Sequence, residues 1–116
     1  MLISVSKEKG LGWLDNQVIR FQMPDTLNFK IPHIGWNQLI IRKENSLMRN
    51  SPPFGEFYFC HSYHFANSNS PMVLSDTDYG YPFVSAVAED NIFGVQFHPE
   101  KSHDQGIQIF KNFLNL

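Results

Sequence analysis

The chain has 116 residues, of which 42% are apolar, so it is long enough for one modest core and too short for two. Nine basic against eleven acidic residues give a formal charge of −2. The sequence has no run of Lys or Arg that could bind along a phosphate backbone, which argues against nucleic acid as a partner. The sequence contains neither an apolar run long enough for a membrane span nor a signal-peptide pattern, and its single cysteine excludes an intrachain disulfide, so we expect a cytoplasmic protein.

Strand patterns dominate the chain up to residue 97. A hairpin is predicted around Asp15-Asn16, between strands at 10–14 and 17–21. Pro32 and Gly35 break the next stretch of strand pattern. A short turn of helix is predicted within 42–55. The remaining predicted strands are 29–34, 36–41, 56–65, 72–76, 83–88 and 92–97.

One helix closes the chain. Ser102 followed by Gln105 predicts a capping box. The predicted apolar face consists of Ile107, Phe110 and Leu114, backed by Ile109 and Phe113. One helix covers little of a sheet of six or more strands, so we expect either that the sheet folds into a sandwich or that further helices are missing from this chain. The capped helix after a buried-looking strand favours the second option.

The most informative loop is His98-Pro99-Glu100, at the end of the last strand. Pro99 biases His98 toward extended geometry, so residues 98 and 100 should project to the same side of the backbone. Glu100 then holds one imidazole nitrogen and leaves the other as a base, which is half of a nucleophile, base and acid triad. The alternative is that His98 and Glu100 are solvated loop side chains without a catalytic role. A metal site that includes His103 is less favoured, because no second cluster completes a coordination shell.

Cys60 is the only thiol, and it stands next to His61. Strand alternation makes the two side chains point apart, and Cys60 lies outside any G-x-C-x-G turn. We therefore expect a buried structural thiol rather than a nucleophile. The two predicted faces of this strand are Tyr58, Cys60, Ser62 and His64 on one side, and Phe59, His61, Tyr63 and Phe65 on the other.

The segment Ile31-Pro32-His33-Ile34-Gly35-Trp36-Asn37 has two interpretations. It is either a kinked strand with Trp36 in the core, or a surface loop whose aromatic and polar groups meet a partner. Composition alone does not decide between them.

Five segments, GLGWL, KIPHIGWN, FYFCHSYHF, DYGYPF and GVQFHPEKS, resemble in order and spacing the class I glutamine amidotransferases. Among these they resemble most the glutaminase subunit of imidazole glycerol phosphate synthase. PHIGWN and QFHPEKS at this separation are specific together, and the resemblance runs from about Gly10 to the C-terminus. It implies that residues 1–116 are the C-terminal part of a flavodoxin-like α/β glutaminase domain, strand-rich with a C-terminal helix.

The resemblance also implies an activity. Glutamine is hydrolysed through a Cys-His-Glu triad without cofactor or metal, and ammonia passes through a tunnel to a (β/α)8-barrel synthase, the partner in a heterodimer of the histidine pathway. By position, His98 matches the general base and Glu100 its orienting carboxylate. The other positions that match functional ones are Ser62 and Tyr63 beside bound glutamine, Trp36 and Lys101 facing the synthase, and Tyr58 at the interface near the ammonia passage.

The chain departs from the family at the nucleophile. The family's G-x-C-x-G elbow and oxyanion loop have no counterpart here, and Met1 matches the helix after the elbow, so the resemblance implies that the N-terminal half is absent. We expect no hydrolysis by this chain alone. Three hypotheses follow: a piece of the histidine-pathway glutaminase, a paralogue that feeds a sugar amidotransferase of surface-polysaccharide synthesis, or a non-catalytic fragment that docks on a synthase or self-associates.

Overall fold

In the computed structural model, residues 12–14, 16–51 and 55–116 are described. They form a strand-rich chain that ends in one helix, as predicted. The elements are β1 (Val18–Arg20), β2 (His33–Gln38), β3 (Ile40–Ile41), β4 (Glu56–His61), β5 (Tyr63–Phe65), β6 (Val73–Asp78), β7 (Pro82–Glu89), β8 (Ile92–Val95), a 3-10 turn (Pro99–Lys101) and α1 (His103–Leu114).

The larger sheet is antiparallel, with strand order β1-β5-β7-β6-β3. β7 is its central strand: it pairs with β6 along its length, with β5 at Val84, and with β8 from Ala86 to Glu89. Five consecutive residues are buried in each of β6 and β7, because both faces of these strands are covered.

The smaller sheet pairs β2 with β4, with Trp36 opposite Tyr58. β4 alternates as predicted, with Phe57, Phe59 and His61 buried and Glu56 and Cys60 exposed. Its buried face joins the main core, whose members include Phe83, Phe97 and Ile109.

The Pro32–Gly35 segment combines features of both sequence interpretations. Residues from His33 onward form regular strand β2, yet Trp36 lies on the outer face of that strand and keeps 44% of its surface exposed. Gly35 has φ 134°, a conformation that a residue with a side chain rarely adopts, so glycine is required at this position of the strand.

The core anchors the loop at 98–100. Phe97 is 2% exposed, and its ring centroid lies 4.4 Å from that of Phe57 on β4. His98 therefore follows directly on one of the best-packed residues of the chain.

The helix buries a different face from the predicted one. Its buried residues are Gly106, Ile109 and Asn112, whereas the predicted stripe is largely exposed. Close approach of the helix to Pro99 at Gly106 fixes this rotation. Asn112 then donates from Nδ2 to the Leu47 and Arg49 carbonyls. The exposed apolar residues are Ile107, Phe110, Phe113 and Leu114.

Three local predictions were wrong. The Ser102 side chain does not cap α1, because its hydroxyl is engaged elsewhere. Residues 42–51 contain turns and no helix. The strand predicted at 56–65 breaks at Ser62 into β4 and β5, which shifts the alternation and buries His64.

Part of the predicted N-terminal hairpin, at residues 10, 11 and 15, lies outside the described residues. Its second strand corresponds to β1, which pairs with β5.

The described part of the chain holds no helix with the length and apolar character that a membrane crossing requires.

Candidate functional site

His98 and Glu100 meet, as their spacing predicts. His98 is extended, with φ −101° and ψ 97°, and its Nδ1 lies 2.8 Å from Glu100 Oε1. A carboxylate only accepts, so Nδ1–H donates to it, and the lone pair of the neutral ring is on Nε2. The Glu100 backbone N–H and the His98 ring keep the pKa of the Glu100 carboxyl below its usual range. The pair is 39% and 55% exposed, so it is accessible to a second reactant.

Aromatic rings and one cation surround this pair. The Trp36 and Tyr58 centroids are 5.9 Å apart, and Lys101 Nζ lies 5.8 Å from the Tyr58 centroid. The Tyr58 and His98 rings are 6.3 Å apart. We call Trp36, Tyr58, Lys101 and His103 the aromatic surface. The structure thus brings together the three residues that the resemblance assigned to a partner interface, next to His98.

His103, which the sequence suggested only as a possible metal ligand, is the fourth member of this surface. Its ring stacks on Trp36 at 5.1 Å, with 12° between the planes. Within the described ranges, no three His, Cys, Asp or Glu side chains converge as a metal site requires, so the alternative that grouped His98, Glu100 and His103 as ligands lacks the necessary geometry.

A chain of hydrogen bonds runs through the core behind β2 and β4. His61 Nδ1 lies 2.8 Å from the Tyr63 carbonyl, so it donates, and His61 Nε2 accepts from His33 Nδ1 at 2.9 Å. His33 Nε2 then accepts from Asn37 Nδ2 at 3.3 Å. Burial lowers the pKa of both histidines to about 4, so both rings are neutral at pH 7.

Ser62 and Tyr63 lie where β4 ends and β5 begins. The Ser62 carbonyl accepts the Phe21 N–H at 3.0 Å, and the Tyr63 carbonyl ends the histidine chain. Among the described residues, no hydrogen bond or ring contact joins either residue to His98. Ser62 and Tyr63 therefore lie at the end of β4 where His61 lies, and they do not hydrogen-bond to the His98–Glu100 pair.

Cys60 points away from His61, as predicted, but it is not buried. Cys60 is exposed on the outer face of the small sheet, opposite Ile34, which is 58% exposed. The prediction of burial was wrong because the described residues leave the outer face of this two-stranded sheet uncovered. Alternation gives the direction of a side chain, and tertiary packing decides whether that side is buried.

Comparison with known proteins identifies the family. The model of the class-I glutamine amidotransferases matches residues 14–116. The chain is 45% identical over 109 residues to imidazole glycerol phosphate synthase subunit HisH 2 of Pseudomonas aeruginosa, covering 94% of this chain and 53% of that protein. It is 44% identical over 110 residues to subunit HisH of Neisseria meningitidis serogroup B, covering 91% and 52%.

A third relative, subunit HisH of Leptospira borgpetersenii, is 40% identical over 120 aligned positions, which cover all of this chain and 59% of the relative. The chain thus spans about half the length of the curated relatives that it matches. Since the family model covers most of its residues, the chain belongs to the class-I glutamine amidotransferase family.

Proposed function

We propose that this chain is part of the glutaminase subunit of imidazole glycerol phosphate synthase, which hydrolyses glutamine and supplies ammonia for histidine biosynthesis. The observation that carries the proposal is the hydrogen bond between His98 Nδ1 and Glu100 Oε1, at 2.8 Å. The names of the three relatives favour the histidine pathway over the polysaccharide paralogue.

His98 acts as the general base in this proposal. Its Nε2 takes the proton of a cysteine thiol as the sulfur attacks the amide carbon of glutamine, and returns it to the departing ammonia. Glu100 holds the ring in the tautomer with Nδ1 protonated and stabilises the imidazolium that forms. Water then hydrolyses the thioester to glutamate. Ser62 and Tyr63 are proposed to contact the bound glutamine.

The nucleophile is proposed to come from outside these residues. The sequence contains no G-x-C-x-G segment, and its only cysteine, Cys60, points away from His61 on an exposed face. Residues 1–116 would then be the C-terminal part of one amidotransferase domain, and would be inactive alone. Two facts support this division: the relatives are about twice as long as the matched region, and α1 exposes apolar side chains such as Phe110 and Phe113.

The aromatic surface is proposed to bind the synthase subunit, with Trp36, Tyr58 and Lys101 at the interface. Exposed aromatic rings beside a cation are typical of interface centres. Their position next to His98 suits a subunit that hands ammonia directly to its partner. We expect that partner to be a (β/α)8 barrel and the complex to be a cytoplasmic heterodimer, which agrees with a single, unpaired cysteine in this chain.

A chimeric enzyme tests the proposal. The part of the Pseudomonas aeruginosa relative that this chain does not match is fused to residues 1–116, and glutamate release is measured with that organism's synthase subunit. We expect H98N to lower kcat by about 10²- to 10⁴-fold, the range for loss of a general base. E100Q should have a smaller effect in the same direction, because the amide still accepts a hydrogen bond from the ring but carries no charge.

C60S is the matched control. It removes the only thiol of these residues and should leave kcat unchanged, because Cys60 is not the nucleophile. A folded chimera in which H98N keeps full activity, or in which C60S abolishes it, would contradict the assignment.

A further inference from the structure

The hydroxyl of Ser102 joins two backbone segments of the site. Ser102 is fully buried, and its Oγ donates to the His98 carbonyl at 2.7 Å. The same oxygen accepts the Tyr58 N–H at 3.0 Å. A hydroxyl has one donor and two acceptor positions, so a single group satisfies both partners.

This hydroxyl completes an interrupted strand pairing. The His98 N–H donates to the Tyr58 carbonyl at 2.9 Å, which is half of a pair of ladder bonds. The Tyr58 N–H and the His98 carbonyl do not bond to each other, because each is bonded to Ser102 Oγ instead. All four backbone groups of Tyr58 and His98 are therefore satisfied. The His98 carbonyl also accepts the Lys101 N–H at 3.0 Å. The Ser102 hydroxyl thus completes a register that a direct backbone hydrogen bond begins.

Helix α1 holds the same loop from its other side. The Gly106 N–H donates to the Ser102 carbonyl at 3.2 Å. A Cβ at residue 106 would lie 1.7 Å from the Pro99 carbonyl oxygen, so only glycine allows this approach. The residues between His98 and Ser102 are thus fixed between β4 and the first turns of α1.

We propose that Ser102 is a positioning residue for the His98–Glu100 pair. By fixing the His98 backbone on Tyr58, it sets the direction of the imidazole, brings Glu100 to Nδ1, and keeps the pair in register with the aromatic surface. Ser102 touches neither the reacting atoms nor the carboxylate and acts through the loop. The importance of this role for catalysis rests on the proposed glutaminase function. The hydrogen bonds of Ser102 to His98 and Tyr58 do not depend on that function.

Nuclear magnetic resonance on the 116-residue chain tests the role. In S102A, the Tyr58 N–H loses its acceptor, and we expect its exchange with solvent to accelerate about tenfold, since one net hydrogen bond is worth about that factor. The Glu100 carboxyl should titrate at higher pH than in the wild type, because its contacts with its own N–H and with His98 loosen. S102T keeps the hydroxyl and should behave like the wild type in both measurements.

S75A is the matched control. Ser75 is also fully buried, and its hydroxyl bonds to that of Ser85 at 2.8 Å, away from the His98 loop. We expect S75A to leave both signals unchanged. The proposal is overturned if S102A moves neither signal, if S75A moves both as much, or if S102T shifts both as S102A does, since packing and not the hydroxyl would then be responsible.

These measurements are independent of hydrolysis. A folded but inactive chimera combined with the expected shifts in S102A would overturn the glutaminase proposal and retain the positioning role. An active, His98-dependent chimera combined with unchanged signals in S102A would support the glutaminase proposal and overturn the positioning role.

Discussion

Individual contacts differ in how far the sequence predicts them. His98 and Glu100 are two residues apart across a proline, so local geometry is enough to expect their contact. His33 and His61 are 28 residues apart, and their pairing depends on the register between β2 and β4, which no local pattern gives. The burial of Cys60 was mispredicted for a related reason, since exposure depends on what covers a sheet face.

The neutral pair His33 and His61 makes stability depend on pH. Both have a pKa of about 4 in the folded chain against an ordinary value of 6.5, so the unfolded chain binds more protons between these values. Stability is therefore complete above pH 6.5 and falls as the pH is lowered to about 4, by up to roughly 3 kcal/mol for each histidine. Urea unfolding at a series of pH values measures this loss.

A matched pair of variants assigns the pH effect. H61Q removes one of the buried titrating groups and should reduce the dependence between pH 6.5 and 4 without abolishing it, because His33 and His64, whose pKa values burial also lowers, remain. S75A replaces a buried side chain that does not titrate, and it should leave the dependence as in the wild type. An equal dependence in H61Q and wild type would show that the buried pair does not control it.

At the scale of elements, the strands were predicted better than the orientation of the helix. β6 to β8 were recognised from their apolar runs, close to their observed bounds. The apolar stripe of α1 was taken for its buried face, yet the helix turns Gly106, Ile109 and Asn112 inward. The orientation of α1 is set by the close approach of Gly106 to the Pro99 backbone and by the buried amide of Asn112. Neither Gly106 nor Asn112 is a large apolar residue, so a search for hydrophobic periodicity does not detect them.

G106A tests that packing. Alanine in a helix interior gains up to about 1 kcal/mol over glycine, but its Cβ would overlap the Pro99 backbone, which cannot rotate away. Overpacking of this kind typically costs 1–3 kcal/mol or more, so we expect a net loss of about 2 kcal/mol in the free energy of unfolding, measured in urea. G94A is the control, because a Cβ there would meet only a Val87 methyl group at 3.2 Å. A G106A chain as stable as the wild type would disprove the close approach.

At the scale of the whole molecule, fold class came from the order of several motifs rather than from composition. Patterns alone left two alternatives open, a sandwich and a sheet whose covering helices lie outside this chain. The match over residues 14–116 identifies the family, while the described residues cover neither the outer face of the small sheet nor the apolar side of α1. In the proposed function these two exposed faces have different contacts: the aromatic surface at His98 binds the synthase, and the apolar side of α1 packs on the proposed remainder of the domain.

Two tryptophans test the proposed docking of the synthase at the aromatic surface. Trp36 belongs to the aromatic surface and is 44% exposed, whereas Trp13 is 65% exposed and lies outside that surface. If the synthase docks beside His98, W36A should weaken binding of the chain to the Pseudomonas aeruginosa synthase subunit about 30-fold, the effect of losing a hot spot worth about 2 kcal/mol. W13A should leave the affinity unchanged in the same calorimetric titration. Equal weakening by both variants would instead indicate nonspecific apolar association, and the aromatic surface would lose its role as the docking site.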